Sequence, residues 1–214
     1  MSPSQHDSNR DQTQTAEATA EAFDPLSSDH RVDHRPDLEQ HRLLLHTWNA
    51  TDLDYPRDLC LHRLFEQQVQ TCPDAIALAH RDRRLSYAQL NAQANRLAHR
   101  LIELGVSPDD RVALCVQRGP AAIVGLLAVL KAGGAYVPFD PGHASARLAH
   151  MLADAAPVAV LIDAVGRAAL GEPALRALTV LDLDTAALDS GPDHDPQPAQ
   201  LRPHHLAYVI YTSG

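Results

Sequence analysis

The sequence predicts an α/β fold in which strands alternate with helices and pair mainly in parallel. Short aliphatic runs alternate with longer amphipathic stretches, which is the pattern of repeated βα units. Hydrophobic residues make up 45% of the 214 residues and charged residues 21%, as in globular proteins. Aromatic residues make up only 4%, so we expect an aliphatic core.

The first part of the chain differs in composition from the rest. Residues 1–37 are rich in acidic side chains and contain few large apolar ones, too few to offset the entropy lost on ordering. We predict that they form a disordered acidic tail. Residues 38–58 combine a short apolar patch with the turn-rich stretch NATDLDYPRD, and we interpret them as a linker.

Regular periodicity begins at residue 59, where we place the start of the folded domain. The stretch LHRLFEQQVQT places Leu61, Leu64, Phe65 and Val69 at helical spacing, and Pro73 ends the helix. The next runs, AIALAH and LSY, flank RDRR and predict a β-hairpin.

A long amphipathic helix follows the hairpin. Ser86 is a natural N-cap, and Gly105 suits the left-handed position that ends a helix. One apolar stripe runs along this helix: Leu90, Ala94, Leu97, Leu101 and Leu104.

The remaining elements continue the alternation. The predicted helices are PAAIVGLLAVLKAGG and ARLAHMLADAA, followed by weak helices between residues 165 and 178. The predicted strands are RVALCV, AYVP, VAVLI, TVLDL and LAYVIY, the last of which runs into the turn TSG at the end of the sequence.

Charge and composition argue against several function classes. The formal net charge is -9, so the chain lacks the basic surface that a nucleic acid requires. The longest apolar run, AAIVGLLAVL, is about half the ~20 residues of a membrane span, and the first residues do not resemble a signal peptide. We expect a cytoplasmic protein with reduced cysteines.

Several polar residues invite assignment to a site. Lys131, the only lysine, lies in the last turn of a predicted helix, where a cation interacts favourably with the helix dipole. The histidines at 30, 34, 41 and 46 lack a firm scaffold, so we do not predict a metal site there. We predict no catalytic residue in this chain, and we expect His204 and His205 to lie in an exposed loop.

The turn Thr212, Ser213 and Gly214 is the candidate binding site. It follows a predicted strand of a parallel sheet, and ligands bind at the carboxyl ends of such strands. Its hydroxyls and backbone amides can donate hydrogen bonds to phosphate, and a glycine lets the backbone approach an anion. Taken alone, the tripeptide is also compatible with an ordinary turn.

Three segments in order carry a family resemblance. LSYAQL, LKAGGAYVPFD and LAYVIYTSG resemble the first three core motifs of the adenylation domains of nonribosomal peptide synthetases, which are adenylate-forming AMP-binding enzymes. HRLLLHTWNATDLDYPRD resembles the linker that joins a condensation domain to such a domain. His143 and Ala144 depart from the Tyr-Pro pair that is usual in the family. The resemblance implies that residues 59–214 are the N-terminal part of the large subdomain.

The resemblance implies a two-step reaction. An amino-acid carboxylate attacks the α-phosphate of ATP with the help of Mg²⁺, and the phosphopantetheine thiol of a peptidyl carrier domain then takes up the aminoacyl group. In this family the loop that Thr212, Ser213 and Gly214 open holds the β- and γ-phosphates. The catalytic lysine and the amino-acid pocket lie later in such proteins, so we expect the 214-residue chain alone to be inactive.

Two alternatives remain open on sequence grounds. The chain could belong to another adenylate-forming ligase that acts on a fatty or aryl acid. It could also be a noncatalytic interaction fragment whose acidic tail contacts a partner subunit. The amino acid used and the peptide product do not follow from the sequence.

Overall fold

The computed structural model describes residues 37–185, 189–198 and 200–212. Residues up to Asp54 and residues from Tyr55 onward form two separate compact units. In the first unit, the described residues form a short helix α1 (Leu38–Arg42) and a π-helical turn (Leu43–Thr47), and all of them are exposed. The predicted tail lies outside the described residues except for Asp37, whose carboxylate accepts a hydrogen bond from the backbone N–H of Gln40 at 2.7 Å.

The second unit alternates strands and helices. Its strands within the described residues are β1 (Ile76–His80), β2 (Arg83–Ser86), β3 (Arg111–Cys115), β4 (Ala135–Pro138), β5 (Ala159–Ile162) and β6 (Thr179–Asp182). Its helices are α2 (Leu61–Thr71), α3 (Tyr87–Glu103), α4 (Pro120–Ala132), α5 (Ser145–Ala155), α6 (Ala164–Leu170) and α7 (Glu172–Leu175). The predicted α/β class is therefore confirmed.

Four of the strands form a parallel sheet in the order β4, β3, β5, β6. Val112 of β3 lies opposite Tyr136 on one side and Ala159 on the other. The first two strands form the predicted hairpin, in which His80 pairs with Arg83. In the sheet β3 lies between β4 and β5, so the connection from β4 to β5 passes over β3.

Helices cover both faces of the parallel sheet. One core cluster contains Leu114 and Leu161 from the strands with Leu97 from α3, and the other contains Val160 with Leu148 from α5. Successive strand residues contribute to opposite clusters because side chains alternate along a strand. All five of these side chains are buried, and the core is aliphatic, as the composition predicts.

Helix α3 begins and ends as predicted, but its stripe is one residue shorter. The Ser86 side chain accepts from the Gln89 backbone N–H, and the Gln89 side chain accepts from the Ser86 backbone N–H, which forms a capping box. Gly105 has a φ of 90°. Leu104, at which the helix ends, is 48% exposed, so the buried part of the apolar stripe ends at Leu101.

Helix α2 forms as predicted, but its apolar residues are unevenly buried. Leu61 and Leu64 are exposed, whereas Phe65 and Val69 are half-buried. The residues that the helix buries most completely are His62 and Glu66, one turn apart. The Glu66 carboxylate pairs with a buried ammonium group on α4, so this polar residue lies on the buried face of the helix.

Among the described residues, no helix combines the length and the apolar character that crossing a bilayer requires. The longest apolar run, AAIVGLLAVL, lies within α4, whose buried residues pack in the core.

We predict that Gly166→Ala destabilises the fold. A Cβ at this position of α6 would lie 1.7 Å from the backbone carbonyl oxygen of Cys115, so the helix would have to move away from the end of β3. We expect the free energy of unfolding in urea to fall by about 3 kcal/mol.

Gly119→Ala is the matched control for this substitution. Its Cβ would lie no closer than 3.9 Å to any neighbour, and its φ of 171° is accessible to every residue. We expect a loss below about 1 kcal/mol. Similar losses for the two variants would contradict the close approach of α6 to β3.

Candidate functional site

A cleft lies at the carboxyl end of the parallel sheet. It has a volume of about 770 Å³, within the range of ~300–1,000 Å³ that small-molecule sites occupy. The segments that follow β3 and β4 line it, with Val116 and Gln117 from one and Phe139 and Asp140 from the other. The cleft therefore lies beyond the carboxyl ends of β3 and β4.

The cleft adjoins the point at which the chain changes direction in the sheet. One connection leads from β3 to β4 and the next leads back across β3 to β5, and such switch points are where open α/β sheets bind ligands. The Asp163 carboxylate fixes this point by accepting hydrogen bonds from the backbone N–H groups of Gln117 at 2.8 Å and Gly166 at 2.7 Å. The ends of β3 and β5 are thereby held together.

The lining of the cleft combines apolar and basic side chains. The apolar part includes Leu114, Leu126 and Met151, whereas Arg81 and Arg118 contribute guanidinium groups. Arg118 lies 3.9 Å from a carboxylate oxygen of Asp140, but its side chain is 98% exposed, so that ion pair is weak and the guanidinium remains able to attract an anion.

The last described segment runs beside β4. The Tyr136 N–H donates to the carbonyl of Ala207 at 3.1 Å, and the Val209 N–H donates to the carbonyl of Tyr136 at 3.0 Å. We predicted a full strand over residues 206–211, but the structure forms only one parallel bridge, between Tyr136 and Tyr208. Within the described residues the segment pairs with β4 on one side and has no pairing strand on the other. It therefore forms few backbone hydrogen bonds.

Side chains alternate along this segment as they do along a strand. Val209 and Tyr211 pack against the core, whereas Leu206, Tyr208 and Ile210 are about half exposed. The segment forms few hydrogen bonds with β4, and the packing of Val209 and Tyr211 on one face of the sheet adds to its attachment.

Tyr211 brings the end of the chain to the cleft. It lines the cleft, and its hydroxyl donates to the Asp154 carboxylate at 2.5 Å. Burial and this hydrogen bond raise the pKa of Tyr211 to about 12, so the hydroxyl keeps its proton at neutral pH. Thr212, the next residue, is exposed and lies at the carboxyl end of the sheet. The other two predicted binding residues, Ser213 and Gly214, lie outside the described residues.

Lys131 is the centre of a buried polar network that the sequence did not reveal. The predicted place in the last turn of α4 is correct, but the side chain is fully buried. Its ammonium donates to the Glu66 carboxylate at 2.5 Å and to the Asp195 carboxylate at 2.9 Å. A buried charge of this kind requires such partners, because leaving it unpaired costs several kcal/mol.

Two asparagines of α3 complete the network. The side-chain amides of Asn91 and Asn95 donate to the same Asp195 oxygen, at 2.9 and 3.0 Å. Burial raises the pKa of Asp195, but the hydrogen bonds from Asn91, Lys131 and Asn95 outweigh burial and hold that pKa below its ordinary value. One signal in the sequence could have indicated this: asparagine is a poor helix former, and two of them stand four residues apart inside a long helix.

The other polar candidates do not gather into a site. His41 and His46 are exposed in the first unit, and the histidines at 30 and 34 lie outside the described residues. Within residues 37–185, 189–198 and 200–212, no three His, Cys, Asp or Glu side chains are positioned to hold a metal ion. His204 is exposed as predicted, whereas His205 is half-buried.

The three cysteines are free. Burial raises the pKa of Cys60, and burial with the nearby charges of Asp163 and Asp140 raises the pKa of Cys115 to about 12. Both thiols are therefore protonated at neutral pH and poor nucleophiles.

Comparison with known proteins shows relatives over most of the chain. Residues 65–214 match the family described as AMP-binding enzyme. Malpinin synthetase of Mortierella alpina is 50% identical over 197 residues, which are 92% of this chain and 2% of that protein. Tyrocidine synthase 3 of Brevibacillus parabrevis is 42% identical over 176 residues, which are 82% of this chain and 3% of that protein. The chain thus spans a small fraction of the length of these relatives.

Solved structures show the same likeness. A crystal structure of the nonribosomal peptide synthetase FmoA3 matches with a TM-score of 0.72 and 34% identity, over 80% of this chain and 18% of that one. Its AMPPNP-bound form matches with a TM-score of 0.72 and 33% identity over the same shares.

We predict that His62 makes the stability of the second unit depend on pH. The ring is 2% exposed, and its Nε2 has no hydrogen-bond partner among the described residues. Burial lowers the pKa of His62 from 6.5 to about 4, so between these pH values the unfolded chain binds a proton that the folded chain does not. The free energy of unfolding should therefore fall as the pH falls through this window, by about 2 kcal/mol from this residue between pH 7 and pH 5.

A His62→Leu variant separates this effect from that of the carboxylates. Urea unfolding at pH 7 and pH 5 should show a drop for the original chain that exceeds the drop for the variant by about 2 kcal/mol. Equal drops would show that His62 titrates normally in the folded chain.

Proposed function

The chain belongs to the AMP-binding enzyme family, and within it to the adenylation domains of nonribosomal peptide synthetases, and on this premise we propose that it takes part in activating an amino acid with ATP. The activated product is an aminoacyl-adenylate. The observation that carries the proposal is the position of the last segment, since Tyr211 lines the cleft at the carboxyl end of the sheet and Thr212 follows it.

The first reaction makes and breaks one bond at phosphorus. A carboxylate oxygen of the amino acid bonds to the α-phosphorus of ATP, and the bond from that phosphorus to the bridging oxygen of pyrophosphate breaks. We propose that the Thr212 hydroxyl donates a hydrogen bond to the departing phosphates and holds them in place. Ser213 and Gly214 stay predicted members of the same phosphate-binding turn. Positioning and charge stabilisation are the main contributions a protein makes to such a transfer.

The exposed residue Thr212 and the arginines that line the cleft fit a polyphosphate, which accepts hydrogen bonds and carries negative charge. Magnesium, when bound with ATP, supplies charge compensation for the leaving pyrophosphate. No residue of the described ranges is assigned to the metal ion, because none of them forms a cluster of suitable ligands.

The second reaction requires another domain. We propose that the thiol of a carrier domain's phosphopantetheine attacks the acyl carbon of the adenylate, forms a thioester and releases AMP. A peptidyl carrier domain and a condensation domain are the proposed partners, and the cytoplasm is the proposed location. The relatives are synthetases of which this chain covers a few per cent, which supports a multidomain setting.

The domain organisation is part of the proposal. Residues 59–214 form the N-terminal portion of the adenylation domain, residues 38–58 form the linker, and residues 1–37 form an acidic tail. The division of the chain near residue 54 supports a boundary in the linker region.

We predict that Thr212→Ala weakens the use of ATP by the complete adenylation domain. Loss of one hydrogen bond to a charged phosphate should raise the KM for ATP about tenfold in amino-acid-dependent ATP–pyrophosphate exchange. Thr71→Ala is the matched control, because Thr71 is an exposed residue at the end of α2 whose hydroxyl donates to the Gln67 carbonyl of the same helix. An unchanged KM for the Thr212 variant would contradict its place in the phosphate-binding turn.

The choice of carboxylic acid tests the alternatives. Exchange that depends on a fatty or aryl acid and on none of the amino acids would identify another class of adenylate-forming ligase. The 214-residue chain by itself should show no exchange above background. Exchange by that chain would contradict the proposal that it lacks the catalytic residues.

A further inference from the structure

We propose that Lys131 and Asp195 are positioning residues that fix the approach of the phosphate-binding turn, a role that rests on the proposed function. Their ion pair joins the end of α4 to the connection between β6 and the last segment. Neither residue lines the cleft, so both act through the chain that leads to Thr212.

The ion pair belongs to a closely packed buried network. Lys131 is fully buried, and its two carboxylate partners, Glu66 and Asp195, have side chains 4% and 29% exposed. The Asp195 oxygen that receives the ammonium also receives both asparagine amides of α3. Three donors on one oxygen hold the Asp195 side chain in one place, since moving it would leave buried polar groups without partners.

The polypeptide around Asp195 is fastened along one face of α3. The side-chain amide of Asn95 donates to the Asp193 carbonyl at 2.6 Å, and a ring nitrogen of His99 lies 3.0 Å from the His194 carbonyl. Together with Asn91 these helix residues stand four positions apart and form a polar stripe. Residues 193–195 therefore lie in a defined position on the helix surface.

Lys131 also lies close in sequence to the strand that the last segment pairs with. Helix α4 ends at Ala132, two glycines follow, and β4 then presents Tyr136 to Ala207 and Val209. The same side chain thus fixes the helix that leads into β4 and the connection that leads to the segment beside it. A further contact, from the Leu206 N–H to the Asp109 carboxylate at 2.8 Å, fastens the start of that segment.

This double attachment compensates for weak pairing of the segment. Within the described residues, the segment forms a single β-bridge, so sheet hydrogen bonds alone place it poorly. Displacement of a substrate-positioning group by about 1 Å lowers reaction rates by large factors. The network upstream of the segment is the part of the structure suited to prevent such a displacement.

Asp195→Asn tests the attachment in the 214-residue chain. Asparagine keeps the shape of the side chain and an acceptor oxygen but removes the charge, so we expect the fold to survive. Lys131→Met is less suitable, because it leaves two carboxylates without their cation and risks global unfolding. By native-state hydrogen exchange we expect the Val209 amide, which donates to Tyr136, to lose protection about tenfold. The Val158 amide, which donates to the carbonyl of Arg111, the first residue of β3, should change less than twofold.

Asp193→Asn is the matched control for the exchange experiment. It is the same substitution two residues away, at a side chain that is 61% exposed and pairs with Arg96 at the surface. We expect it to leave both amides unchanged. Equal protection of Val209 in the Asp195 variant and in the original chain would overturn the proposal.

The link to ATP is tested in the complete adenylation domain. Asp195→Asn should raise the KM for ATP about fivefold and change the KM for the amino acid less than twofold. In the double variant, the KM for ATP should be less than twofold above that of Thr212→Ala alone, because Asp195 affects ATP binding through Thr212. If the two substitutions raised the KM for ATP independently, so that their factors multiplied in the double variant, the positioning role would be overturned.

The outcomes separate this inference from the proposed function. An effect of Thr212→Ala without any effect of Asp195→Asn removes the inference and leaves the function in place. No effect of Thr212→Ala removes the phosphate-binding turn itself and the positioning role with it, whatever hydrogen exchange shows.

Discussion

The buried ammonium of Lys131 is the constraint on which the arrangement of the second unit depends. It cannot be hydrated inside the core, so carboxylates from α2 and from the connection after β6 must come to it. Glu66 consequently lies on the buried face of α2, while Leu61 and Leu64 of the same helix are exposed. Asp195 brings a loop that is rich in proline and aspartate onto α3, where Asn91 and Asn95 receive it. One charge therefore sets the places of three helices and one loop.

The cleft follows from a different constraint, the path of the chain through the parallel sheet. Parallel strands need crossover connections, and successive crossovers on opposite sides of β3 leave a gap between the loops at its carboxyl end. Asp163 holds the edges of this gap together, and Phe139 and Met151 give it apolar walls. The last segment reaches the same edge because it runs parallel to β4.

Tertiary contacts overrode the periodic pattern at specific residues. Leu104 and Leu61 match helical stripes in the sequence, yet both are exposed; one stands where its helix ends and the other lies on a helix that buries Glu66. Val209 pairs with Tyr136 as a strand residue would, but the predicted strand is reduced to one bridge. Periodicity reports which residues are apolar, whereas burial also depends on what is available to cover them.

The sequence by itself determined the alternation of strands and helices, the capping of α3 by Ser86, the position of Lys131 in the last turn of its helix and the family, because these depend on local pattern and short motifs. Only the tertiary structure decided which carboxylates meet Lys131, since Glu66 and Asp195 are 65 and 64 residues away along the chain. The cleft likewise exists only after distant loops come together. Local interactions are encoded within a few residues, whereas contacts across such distances depend on the folded sheet that brings them into reach.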